Sequence, residues 1–294
     1  MSENFGPERW AIDITMILNA VLGPNHFPIR VAEVAHEVAR NKFPDDPIAA
    51  VRGADLPGFE GALYPPPAGK KGWAILYNSA IASPGRINFT LAHEFGHYLL
   101  HRRANPKGIE CGEADVVRWD SPYGQMENQA NRFAANLLMP FDDYRRLITD
   151  QASVAIEDLS AAAERYGVSL MAAILRWMEY THRRAILVLS RDGFILWAKS
   201  NTPAFQSRAF IRTKNLTVPV PSSALASAGI AAIRENKARD HDGGVWIAEP
   251  VREIAAASEQ FDFVISLLLL GSEPRFSIEQ DEEEDTLVRF GGAS

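Results

Sequence analysis

A helical run too apolar to face water carries three groups that are costly to bury alone. Over Asn88–Arg103, residues Phe89, Ala92, Phe95, Leu99 and Leu100 fall on one stripe at helical spacing, and no lysine or arginine interrupts before Arg102. Inside that run stand His93, Glu94 and His97, a His-Glu-x-x-His pattern. Buried imidazoles and carboxylates need partners, so the fold must bring them one. Four residues advance a helix by about 6 Å and slightly more than one turn, so the two rings face the same way. Their nitrogens can then reach one ion at about 2.0–2.1 Å, which suits zinc. Glu94, beside the first ligand and displaced around the helix, can approach a water on that ion without binding the ion itself. A surface helix with charged groups four apart is the bland alternative, and the apolar flanks speak against it.

A catalytic site needs a third protein ligand and one position left open. His101 lies about 12 Å along a continuous helix from His93, too far to share the ion; it is read as orienting a neighbour or binding a backbone group. Glu127 is the better candidate. It shares a helical face with Ala130, Asn131, Ala134 and Leu138, where a carboxylate is costly unless it meets a cation. The small alanines let this helix approach the first one closely. Asn131, one turn on, can accept a hydrogen bond from the free ring nitrogen of a ligand histidine. An exposed charge near a helix start is the alternative for Glu127. Glu110, Glu113, Asp115 and Asp120 rank behind it because they lie in an irregular polar stretch. Such an ion polarises a scissile carbonyl and activates water, while Glu94 takes the proton and returns it to the leaving amine. Tyr98, His101 and Arg132 are the candidates for stabilising the oxyanion.

The remaining pattern gives an α+β chain in four parts. Residues 1–140 form the metallopeptidase domain, with helices at 8–22 and 31–42, strands at Phe59–Tyr64 and Trp73–Asn78, and a helix from Ser121-Pro122 to just before Pro140. Residues 141–183 are helical, with Ile156–Tyr166 and Ser169–Tyr180 meeting at Gly167. Residues 184–272 form a small β-containing domain, beginning with a hairpin through Arg191-Asp192-Gly193 and including strands at Val245–Ala248 and Phe263–Leu270. Residues 273–294 are an acidic tail. The acids from Glu273 to Asp285 give that tail most of the chain's net charge of −7, so nothing resembles the basic surface that nonspecific nucleic-acid binding needs. With no signal-like start, no membrane-length apolar run and a single cysteine, a cytoplasmic location is expected. That cysteine, Cys111, is read as an ordinary residue, with a redox-responsive thiol or a fourth, inhibitory ligand as alternatives.

The stretch Phe89–His101, together with Glu127-x-x-Ala130-Asn131-x-Phe133-Ala134-Ala135-x-Leu137-Leu138-Met139-Pro140, resembles the ImmA/IrrE family of metallopeptidases. The resemblance is strong over roughly residues 10–145 and thin afterwards. It implies a zincin-like fold with the His-Glu-x-x-His helix on a small sheet. It also implies His93, His97 and Glu127 as metal ligands, with Glu94 as the catalytic acid and base. Members typically cut one helix-turn-helix repressor of the XRE type and so switch on stress genes or mobile elements. The expected cofactor is Zn2+, with manganese or iron as alternatives. Residues 156–180 resemble a helix-turn-helix, yet Ser169–Tyr180 offers mainly Leu170, Met171, Ile174, Leu175, Trp177 and Met178, side chains for packing rather than for reading bases. Direct DNA binding is therefore not expected. A general peptidase and a non-catalytic, metal-stabilised regulator are the rival functions.

Overall fold

The structure is a computed structural model that describes residues 5–111, 122–149, 154–235, 237–258 and 263–272. Glu113, Asp115, Asp120, Ser121 and the acidic tail 273–294 lie outside the described residues. The chain divides into two compact units, 1–182 and 183–294. Both combine helices with a sheet, so the fold class is α+β. Among the described residues, no helix is long and apolar enough to cross a membrane.

In the first unit, α1 (Pro7–Leu22) and α2 (Val31–Lys42) precede β1 (Ile48–Ala54), β2 (Gly61–Tyr64) and β3 (Trp73–Asn78). Then come α3 (Pro84–Leu100), β4 (Ile109–Cys111) and α4 (Pro122–Leu138). The sheet order is β1-β3-β2-β4, with β1 parallel to β3 and the other pairs antiparallel. Strand β1 was not expected from the sequence. Its Ile-Ala-Ala-Val-Arg-Gly-Ala run is short of β-branched and aromatic residues and is held by its pairing with β3. Helix α3 begins four residues earlier than its apolar stripe implies, because Ser83 caps it and Pro84 fills its first position. Its far end is pinned by Tyr98, whose hydroxyl donates to Asp46 O at 2.6 Å, and by Arg102, stacked over the Phe43 and Tyr98 rings.

Helices α3 and α4 pack with almost no gap. A Cβ on Gly96 would lie 3.0 Å from the Phe133 ring and 3.2 Å from Ala130 Cα. Around that contact Ala130, Phe133, Ala134, Leu137 and Leu138 are fully buried. Each large apolar side chain here contributes about 1.5–3 kcal/mol, enough to fix the two helices side by side. α5 (Phe141–Leu147), α6 (Ile156–Tyr166) and α7 (Leu170–Tyr180) follow. Gly167 ends α6 in the left-handed region at φ 61°. On α7 the one long cation, Arg176, is 2% exposed; it donates to Met139 O, Asn136 Oδ1 and Glu179 Oε2 and covers the Phe141 ring.

The second unit is an antiparallel sheet of order β7-β6-β5-β10-β9-β8. The hairpin of β5 (Ala185–Arg191) and β6 (Phe194–Ser200) turns at Asp192-Gly193, where φ is 51° and 77°, the paired positive values of a two-residue type I′ turn. α8 (Thr202–Gln206), β7 (Val218–Pro219), a 3-10 turn at Leu225–Ser227, α9 (Ile230–Glu235) and β8 (Ala238–His241) occupy the stretch whose Pro, Ser and Ala content hides its structure. Val245–Ala248 is not a strand. It is a loop closed by Gly244 N–H donating to Ile247 O, which buries Trp246 in the core. The strands are β9 (Val251–Ser258) and β10 (Phe263–Leu270).

Glu253 on β9 is fully buried, yet five donors meet its carboxylate. They are the Leu225 and Ala226 amides, His241 Nε2, Trp246 Nε1 and Ser266 Oγ, at 2.8–3.3 Å. Glu253→Leu removes the acceptor for all five and should cost about 3–5 kcal/mol. Hydrogen exchange across residues 222–229 reads the loss directly. Unchanged protection of the Leu225 and Ala226 amides would show that the carboxylate does not hold that turn.

Candidate metal centre

Four donor side chains on three elements converge in the first unit. His93 and His97 project from α3, Glu127 from α4 and Cys111 from β4, and all are buried. One ligand atom from each lies within 4.8 Å of the other three. Glu127 Oε2 is 3.1 Å from His93 Nε2, and its Oε1 is 3.2 Å from His97 Nε2. The two Nε2 atoms are 2.9 Å apart. Two ring nitrogens this close cannot both carry protons; either one proton lies between them or both lone pairs face a common cation. Donors bound tetrahedrally to zinc at 2.0–2.1 Å sit about 3.3 Å from one another. The cluster has that dimension, so its residues fit a divalent ion.

The outer ring nitrogens are fixed as well. His93 Nδ1 lies 3.0 Å from Asn131 Oδ1, an acceptor that places the ring proton on Nδ1 and frees Nε2 for the cluster. His97 Nδ1 lies 3.0 Å from His101 Nδ1, and His101 Nε2 lies 2.9 Å from Gln129 Oε1. With Nε2 of His97 unprotonated, one arrangement satisfies this chain: His97 donates to His101, which donates to Gln129. His101 therefore holds the His97 ring and stays out of the donor set. Gln129 was not anticipated; its place two residues after Glu127 puts it near His101 only once α3 and α4 are docked. Asn131→Ala should lower zinc affinity about 10–100-fold, measured by competition with a chromophoric chelator. Unchanged affinity would mean the His93 ring is oriented by packing alone.

Electrostatics separate the two carboxylates. Burial raises the Glu127 pKa, but hydrogen bonds from His93 and His97 outweigh it and hold this acid well below the usual range. Burial pushes the Glu94 carboxyl up to about 7, against the pull of His93 and the Cys111 thiol. Glu94 is 0% exposed, and beyond the Cys111 thiol its oxygens meet no hydrogen-bond donor. Burial also pushes His97 down to about 4, keeping it in the neutral form that binds metals. Gly61 on β2 is what makes room for Glu94, since a Cβ there would lie 2.5 Å from its Oε1.

The proposed oxyanion donors do not assemble. Tyr98 is committed to Asp46 O, Arg132 pairs with Glu8, and His101 is engaged between His97 and Gln129. Glu110 points outward and receives the Tyr64 hydroxyl. Cys111 is the member that sequence reading placed among ordinary residues. The local signal was faint: in Ile109-Glu110-Cys111 the outer two positions face inward, a period of two over only three residues.

Residues 45–178 match the model of a peptidase family described as the IrrE N-terminal-like domain. No curated protein matches the chain.

Proposed function

Residues 45–178 are an ImmA/IrrE-family metallopeptidase domain, and from that premise we propose that the chain is a zinc-dependent endopeptidase cutting a helix-turn-helix repressor of the XRE type. The observation that carries the reading is the convergence of His93, His97 and Glu127, with the fully buried Glu94 carboxylate beside them. His93, His97 and Glu127 would hold the ion, which when bound would polarise a peptide carbonyl and make water more acidic. Glu94 would take a proton from the attacking water on a carboxylate oxygen and pass it to the leaving amine nitrogen. Two imidazoles and a carboxylate favour zinc, with manganese or iron as substitutes.

The substrate class rests on the family resemblance, in which members typically cut one such repressor to relieve repression in a stress or mobile-element response. Direct DNA contact by α6 and α7 is not part of the proposal, because Arg176 is buried and fully engaged. Incubating a candidate repressor with the wild-type chain and with Glu94→Gln, with zinc or with chelator, tests the reading. One defined cut by the zinc-loaded wild type alone supports it. Cleavage of casein but not of the repressor points to a general peptidase.

One observation favours a second reading. Cys111 brings the donor count to four, the number typical of a closed structural site. A metal-stabilised regulator would bind the repressor and leave it intact.

A further inference from the structure

Resting on the metallopeptidase reading, we propose that Cys111 is a displaceable fourth ligand, whose thiolate closes the coordination position that catalysis needs open. The distances suit such a bond. Its Sγ lies 3.4 Å from His97 Nε2 and 3.7 Å from Glu127 Oε1. Sulfur at about 2.3 Å and nitrogen or oxygen at 2.0–2.1 Å from one tetrahedral zinc are about 3.5–3.6 Å apart. Both distances match that spacing, and the sulfur lies within 4.8 Å of the His93 donor as well.

A second observation concerns the base beside the cysteine. Glu94 is wholly buried, and apart from the Cys111 thiol its oxygens meet no donor, although a buried carboxylate ordinarily collects several. It lies against Gly61, the residue paired with Cys111 across β2 and β4. The base and the thiol thus share one corner of the cluster. A peptidase needs a water there, and Cys111 occupies the neighbouring donor position. Backbone pairing holds it in place, through the Gly61–Cys111 register and the Glu60 N–H to Cys111 O bond. When the ion is loaded, the S–H bond breaks, the sulfur–metal bond forms and the proton leaves to solvent. Opening reverses this: an incoming donor takes the metal position and the sulfur regains a proton. Among the described residues, β4 pairs with β2 alone.

Cobalt substitution of the full chain tests the ligation, and Cys111 is the only cysteine, so the signal has one source. The wild type should show a near-ultraviolet sulfur-to-cobalt charge-transfer band that Cys111→Ala and Cys111→Ser both lack. Acetohydroxamate, which needs an open metal position, should bind the zinc-loaded Cys111→Ala protein at least about tenfold more tightly than the wild type, a difference of about 1.4 kcal/mol. If neither variant folds, thiol labelling of the wild type takes their place. Zinc should slow labelling at least about tenfold, and chelator should restore it. Absence of the band, or zinc-independent labelling, overturns the ligation while leaving the peptidase reading intact. Equal hydroxamate affinity in wild type and variant overturns the closure. Failure of the peptidase reading has a separate signature: the band and the hydroxamate difference are present, yet no substrate is cut by Cys111→Ala.

Discussion

Glu94→Gln keeps its metal and loses turnover, with kcat reduced about 10²–10⁴-fold and KM little changed. Glutamine matches glutamate in shape, so the close fit beside Gly61 and Thr90 is preserved. What disappears is a group able to take a proton and give it back, a contribution worth about that factor in general acid–base catalysis. Beyond the Cys111 thiol the carboxylate has no donor to lose, and the glutamine amide oxygen can still accept from that thiol. It also relieves the cost of keeping an acid in a buried site, and stability should hold or rise slightly. Metal content per chain and single-turnover cleavage separate the two effects. An active, metal-bound Glu94→Gln protein would assign the proton transfer elsewhere.

Glu127→Ala has the opposite signature, in which the metal goes first. Zinc binding by four-ligand sites is worth about 10–16 kcal/mol, or roughly 2.5–4 kcal/mol per ligand, so affinity should fall about 10²–10³-fold. Glu127 is also the only one of the four donors that touches both histidines. Its removal leaves two buried imidazoles 2.9 Å apart with no acid between them. Glu127→Gln keeps the volume and one acceptor oxygen but loses the charge, and should fall between alanine and wild type. Equal zinc affinity in all three proteins would exclude Glu127 from the centre.

Much of this site was legible in the sequence because its polar groups interrupt apolar faces. His93, Glu94 and His97 stand out against Ala92, Phe95 and Leu99, and Glu127 against Ala130, Ala134 and Leu138. Burial with no local partner is a strong pointer to a distant one. The helices were legible for the same reason, since period and punctuation act within a few residues. What stayed hidden depends on pairing across the chain. β1 has little strand propensity of its own, and β9 carries Arg252, Glu253 and three alanines. Its buried Glu253 makes sense only after the turn at Leu225, His241 and Ser266 have been brought to it. Val245–Ala248 marks the converse error: an apolar run reports burial, and here a loop rather than a strand is buried. Cys111 joins the cluster through a strand paired with residues some fifty positions earlier. No window around it contains that information.

Anomalous diffraction at the zinc edge, from crystals of the zinc-loaded chain, tests the metal centre most directly. A single peak is expected within about 2.0–2.2 Å of His93 Nε2, His97 Nε2 and one Glu127 oxygen. A peak elsewhere, or a Glu127 side chain turned away from the histidines with zinc bound, contradicts it.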